Sequence, residues 1–222
     1  DITDDGLVTI QDVVVLARIL LGSIPSPSEG TDAFSRADAN ANGVLEVGDI
    51  IHTVDIILKL VPSKPAVNTP SYSTVTMHPT QLQQDGTQVV PISLKSDGVL
   101  AGLQASLSID GDYMTFGNPY LGEENEGISI THHEIDGVLR LVVYSTSGQK
   151  LPSDGSPLVF VPVSLIHDGR LAGSLSLDHV ILADSNAGTV PAPSGNQTIK
   201  IEINGLPGVF SLEPARPNPF NP

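Results

Sequence analysis

The stretch DANANGVLEVGD, residues 38–49, sets an oxygen-bearing side chain at every second place and a glycine at the sixth. Asp38, Asn40 and Asn42 stand at positions 1, 3 and 5. Gly43 follows where the chain must turn, Val44 at position 7 offers its backbone carbonyl, and Glu46 and Asp49 stand at 9 and 12. A second copy, DITDDGLVTIQD, puts Asp1, Thr3, Asp5, Gly6, Leu7, Thr9 and Asp12 in the same places. Hard oxygen donors at alternating positions, closing on a carboxylate, are what a calcium ion takes from a twelve-residue loop. The expected complement is two Ca2+ ions. Asp1, Thr3, Asp5, Leu7, Thr9 and Asp12 would surround the first; Asp38, Asn40, Asn42, Val44, Glu46 and Asp49 would surround the second. Thr3 is a weaker donor than Asn or Asp, which makes the first loop the poorer site. One Asp/Asn/Gly string is also an ordinary turn-former. Two at matched offsets, each running into Asp and an apolar segment, favour the metal.

The segments after the loops have helical apolar spacing. DVVVLARILLG runs from Asp12 and DIIHTVDIILKLV from Asp49, with Gly22 and Pro62 where each helix should stop. No helix is expected before either loop, because SIPSPSEG is a poor helix former. Val13, Leu16, Ala17 and Leu20 share one face of the first helix, with Val14, Arg18 and Leu21 on another. Ile50, Val54, Ile57 and Val61 make a stripe on the second, which leaves Ile51, Ile56 and Leu58 outside it. Two helices cannot bury all of this against each other, so the remainder should dock on something.

Both loops end in Asp, where a standard EF-hand ends in Glu. Paired loop-plus-helix repeats over residues 1–61 resemble the dockerin family. That resemblance implies folding around calcium and binding of cohesin domains through the helices. Positions that often carry Ser-Thr in dockerins are Ile10-Gln11 and Val47-Gly48 here, and the helix positions that often carry Lys-Arg are Ala17-Arg18 and Val54-Asp55. Partner specificity is therefore not carried over.

Residues 62–71, PSKPAVNTPS, hold three prolines and read as a stiff linker. From residue 72 to 204 the period becomes two. VLAGLQASLSI (99–109) alternates Ala101, Leu103, Ala105, Leu107 and Ile109 against Gly102, Gln104, Ser106 and Ser108. Segments 74–77, 87–94, 113–116, 128–132, 138–145, 158–166, 174–182 and 198–203 read as further strands, about nine in all, separated by turn signals such as EIDG and PSDG. The expected fold is mainly β: a nine-stranded β-sandwich or jelly roll carrying a small α-helical N-terminal calcium module. GLQASLSIDGDYMTFGNPYLG and LRLVVYSTSGQKLPSDGSPLVFVPVSL resemble a cohesin-type domain.

Sugar-binding sandwiches share much of that pattern but present exposed rings. This chain has no Trp, and Tyr113, Phe116 and Phe160 read as core, leaving Tyr72, Tyr120 and Tyr144 scattered. His132-His133-Glu134 sits on a strand, where neighbours point to opposite faces, so the two histidines would not share an ion. Glu123, Glu124 and Glu126 read as a solvated acidic loop, and Asp110 with Asp112 as a weak third metal candidate. No nucleophile, phosphate-binding or dinucleotide motif is present, which points away from catalysis. With no cysteine, disulfides and thiolate metal sites are excluded. A net charge of −15 repels nucleic acid and anionic membranes and suits divalent cations.

Residues 205–222 hold five prolines and read as an extended tail. GVFSLEPARPNPFNP resembles the opening of the sorting region of the type IX secretion system, which implies export by that route. Both ends of the chain read as processed. These readings point to an extracellular or cell-surface, non-enzymatic protein with a protein partner: another copy of itself, or a cohesin- or dockerin-type protein. One version assembles head-to-tail into filaments or a scaffold. A second is a calcium-stabilised spacer with the helices docked on their own sandwich, and a third is a carbohydrate-binding module.

Overall fold

Among the described residues, three helices come first and strands follow. The computed structural model describes residues 1–58, 70–85, 87–110, 114–122, 125–165, 171–190 and 197–203. Most of the expected linker, Tyr113, Asp112, Glu123, Glu124, Val61 and the tail lie outside the described residues.

Helix α1 spans Ile10–Leu20, α2 Asp32–Ala37 and α3 Val47–Ile57. The two long helices begin two residues before the expected Asp12 and Asp49, because those carboxylates cap the helices from inside. Asp12 Oδ2 accepts the Thr9 N–H at 2.7 Å, and Asp49 Oδ2 accepts the Glu46 N–H at 2.9 Å. Helix α2 was not expected. It follows the proline-rich stretch and is started by Thr31, whose hydroxyl accepts the Phe34 N–H at 3.2 Å. Gly22, at φ +73°, ends α1: its N–H donates to the Ile19 carbonyl and that of Ser23 to the Arg18 carbonyl.

Among the described residues, strands form the two antiparallel sheets of the expected sandwich, twelve strands counted with the short pieces against the nine read from the pattern. The extra ones are short pieces that pattern reading passes over. The first sheet runs β1 (Ser73–Met77), β3 (Gln88–Ser96), β9 (Asp154–Leu165), β5 (Met114–Phe116), with β2 (Gln81–Leu82) on β3 and β6 (Tyr120–Leu121) on β9. The second runs β11 (Thr189–Val190), β10 (Leu171–Asp184), β4 (Leu100–Asp110), β8 (Val138–Ser145), β7 (Ile128–Ile135), with β12 (Gln197–Ile203) on β10. Between the sheets lies one core that includes Val90, Ile92, Leu94, Leu103, Leu107, Leu141, Val143, Val161, Leu175 and Leu182.

A second core lies on the outer face of the second sheet. Val13, Leu16, Ala17 and Leu21 of α1 with Val47, Ile50, Ile51 and Val54 of α3 pack on Ala101, Val142, Tyr144, Ala183 and Ala187. Each fully buried aliphatic side chain there contributes roughly 1.5–3 kcal/mol. Two irregularities create that face. The β4–β10 pairing slips between Asp178 and Ile181, around His179 at φ 49°, so Leu175, Leu177 and Leu182 face the sandwich core while Ile181 and Ala183 face the helices. It slips again between Ala183 and Asp184, which puts Leu100 in the sandwich core and Ala101 under the helices. Ala101 was expected to share a face with Leu103; the bulge reverses it.

Packing corrects other expectations. Leu21 is buried with Leu16 rather than on a separate face, and Ile51 joins Ile50, whereas Val14 is half exposed. Tyr144 lies beneath the helices and is not exposed. Phe160 is only partly buried and lies outside both cores; it stacks on Tyr120 with ring centroids 5.4 Å apart. Among the described residues no helix is long and apolar enough to cross a membrane.

Candidate metal loops and the helix-sandwich contact

The two twelve-residue loops fold alike. Positions 4 and 6 take left-handed backbone in both: Asp4 at φ 61° and Gly6 at 85°, Ala41 at 57° and Gly43 at 84°. Glycine suits position 6 because no Cβ strains that turn. The carboxylate at position 1 holds the turn. Asp1 accepts the N–H of Asp5 (3.3 Å) and of Gly6 (2.7 Å); Asp38 accepts those of Asn42 (3.0 Å) and Gly43 (2.9 Å). Position 5 accepts from position 7 in both, Leu7 N–H to Asp5 and Val44 N–H to Asn42, each at 2.9 Å. The carboxylate at position 12 ties the two ends together. Asp12 accepts from the Thr3 N–H (3.1 Å) and from Thr9; Asp49 accepts from the Asn40 N–H (3.2 Å) and from Glu46. The residues expected at positions 1, 3, 5, 9 and 12 are thus gathered around each loop, with the side chains of Leu7 and Val44 turned out to solvent.

The donor set suits a hard cation. Asp12 and Asp49 are fully buried and Glu46 is 3% exposed. Arg36 of α2 pairs with Asp4 of the first loop at 3.6 Å. Among the described residues, no three His, Cys, Asp or Glu side chains are grouped as a cage, since Thr, Asn and backbone oxygens make up the rest of each loop. Burial pushes Asp12 upward, but N–H bonds from Thr9, Thr3 and Ile2 and the Thr3 hydroxyl outweigh it and hold the carboxyl below its usual range. Asp49 behaves oppositely: burial, with repulsion from Asp38, overcomes its own N–H bonds and pushes it up to about 6. The difference is location, since the second loop lies against the sandwich.

That contact is specific. The Asn40 amide Nδ2 donates to the Ala187 carbonyl at 2.9 Å, and the Thr189 hydroxyl donates to Glu46 Oε1. Gly48 leaves no room for a side chain, because a Cβ would stand 2.7 Å from the Ala187 oxygen. Gly102 does the same on β4, where a Cβ would meet Val47 Cγ2 at 2.6 Å. The matching residues of the first loop, Ile10 and Gln11, are exposed. Sequence reading missed Thr189, Ala187 and Gly102; the Val-Val-Tyr run of β8, apolar on both faces, was the available signal that this sheet is covered.

The remaining candidates do not converge. His132 and His133 are adjacent on β7, and burial with repulsion from His133 lowers the His132 pKa. Asp110 is exposed at the end of β4. Tyr72 and Tyr120 are exposed, and one face of the Tyr120 ring is covered by Phe160.

Among solved structures the chain is similar to a cohesin module of a Clostridium perfringens family 33 glycoside hydrolase, at 14% identity and TM-score 0.49, over 60% of this chain and 96% of that one. It is similar to a non-cellulosomal cohesin from the archaeon Archaeoglobus fulgidus, at 14% identity and TM-score 0.46, over 59% and 91%. A chain of a type I cohesin-dockerin complex from Clostridium thermocellum matches at 13% identity and TM-score 0.47, over 59% and 99%. No family model and no curated protein matches the sequence.

Proposed function

We propose that this chain is a non-enzymatic structural and protein-interaction module that works outside the cell. Two calcium ions organise its dockerin-like helices, which seat on the outer face of their own cohesin-like sandwich. Asp1, Thr3, Asp5, Thr9, Asp12 and the Leu7 carbonyl would hold one ion. Asp38, Asn40, Asn42, Glu46, Asp49 and the Val44 carbonyl would hold the other. Calcium supplies the positive charge that lets buried carboxylates stay ionised. The observation that carries the reading is the shared apolar core, in which α1 and α3 cover Ala101, Val142, Tyr144 and Ala183.

Head-to-tail assembly would use the same two surfaces between copies. Because the helix faces that would reach a neighbour are filled within the chain, the spacer form is the better supported. A protein partner would then meet the apolar residues left on the helices, Ile10, Val14, Ile56 and Leu58. Small-angle scattering in millimolar calcium tests this. A compact monomer is expected; rings or filaments that dissolve in chelator would instead establish assembly between copies.

A further inference from the structure

The sandwich reaches into the second loop at two of its donor residues. Asn40 has one end of its amide in the loop, where Oδ1 accepts the Asn42 N–H at 3.1 Å, and the other end on the Ala187 carbonyl. That bond fixes which end of the amide is oxygen toward the loop. Glu46 is buried, and its Oε1 accepts both the Asn42 Nδ2 at 3.0 Å and the Thr189 hydroxyl. Ala187 lies in the short turn between β10 and β11, and Thr189 is the first residue of β11. Asp184 holds that turn by accepting the N–H of Asn186 at 2.8 Å and of Gly188 at 2.9 Å. Among the described residues, Asp1, Thr3, Asp5, Thr9 and Asp12 of the first loop bond instead to groups of their own loop.

We propose that the β10–β11 turn is the outer shell of the second metal site, with Thr189 and the Ala187 carbonyl as positioning groups, so that metal binding there and seating of the helices on the sandwich reinforce each other. This rests on the calcium reading of the loops. Outer-shell partners orient ligands before the ion arrives, and losing one costs metal affinity by about tenfold to a hundredfold. Coupling between binding and docking is reciprocal, so a sandwich that orients Asn40 and Glu46 is itself held by the ion they bind. The first loop gains nothing from the sandwich, and its affinity is independent of the turn.

The test is a calcium chloride titration of the full chain, followed in amide spectra. Gly6 and Gly43, each bonded to its own loop's first carboxylate, report the two sites separately. Thr189 is exposed on the two-residue strand β11, so Thr189→Val should leave the fold intact. The expected result is about tenfold weaker binding at Gly43, no change at Gly6, and recovery in Thr189→Ser. If Thr189→Val binds at both sites as the wild type does, the coupling is overturned and the calcium reading stands. Equal weakening at both sites also overturns it. If the wild type binds no calcium at either loop, the calcium reading fails and this inference with it.

Discussion

Without calcium the helical module should lose stability as pH rises, and Asp49 sets the size of the effect. It is fully buried, and burial with repulsion from Asp38 pushes its carboxyl from 3.8 up to about 6. In the unfolded chain it returns to the ordinary value, so the folded state binds this proton more tightly. Its contribution is therefore fully present below the unfolded pKa and lost as pH rises through about 6. The gap amounts to a loss on the order of 3 kcal/mol once the group is ionised. For a domain of this size that lowers a melting temperature by on the order of 5–10 °C. Asp12 has the opposite sign. Its carboxyl is held low, so its stabilisation is present above the unfolded pKa and fades only as the medium becomes more acid. A window from about pH 5 to about pH 7.5 thus separates Asp49 from Asp12. Melting of the helical signal in chelator should fall across that window. With calcium the ion offsets the charge and the fall should vanish. In Asp49→Asn the chelator curve should be flat, at a lower stability. A wild-type melting point that climbs through the window in chelator, or an Asp49→Asn curve that keeps the wild-type slope, would refute the reasoning.

Gly102→Val puts a branched side chain where a Cβ alone would stand 2.6 Å from Val47 Cγ2. Overpacking of about 1–3 kcal/mol should loosen the helices from the sheet, read as faster proteolysis at α3 with unchanged strand signal. Ile50→Ala empties a fully buried site in the same contact and should cost about 2–5 kcal/mol of helix stability in denaturant melts. Thr3→Asp adds a carboxylate at the third position of the first loop and should tighten calcium there alone, by calorimetry.

The loops and helices were legible because their signals are local. A carboxylate at every loop end and an apolar run behind it do not depend on the rest of the chain. The strands were legible as elements, since β4 alternates from Leu103 to Ile109 and β8 is an apolar run broken only by Arg140 before Ser145. What the helices rest on was not. Ala101, Gly102, Ala183 and Ala187 are small residues without pattern, and two register slips decide which of them face the helices. A period-2 reading cannot place a bulge, so Ala101 falls on the wrong side of β4. Thr189 and Asn40 lie far apart in sequence, and only the sheet brings the β10–β11 turn to the loop. Helix α2 was missed because its proline-rich approach hid the Thr31 cap.

Hydrogen exchange of the full chain, with calcium and then with chelator, tests the central claim most directly. With calcium, the amides of α1 and α3 should be protected nearly as well as those of β3 and β9, and mass measurement should find two ions. On chelation the helices should exchange fast while β3 and β9 keep their protection. Helices that stay protected with the metal removed, or native protein that carries no such ions, would contradict the account.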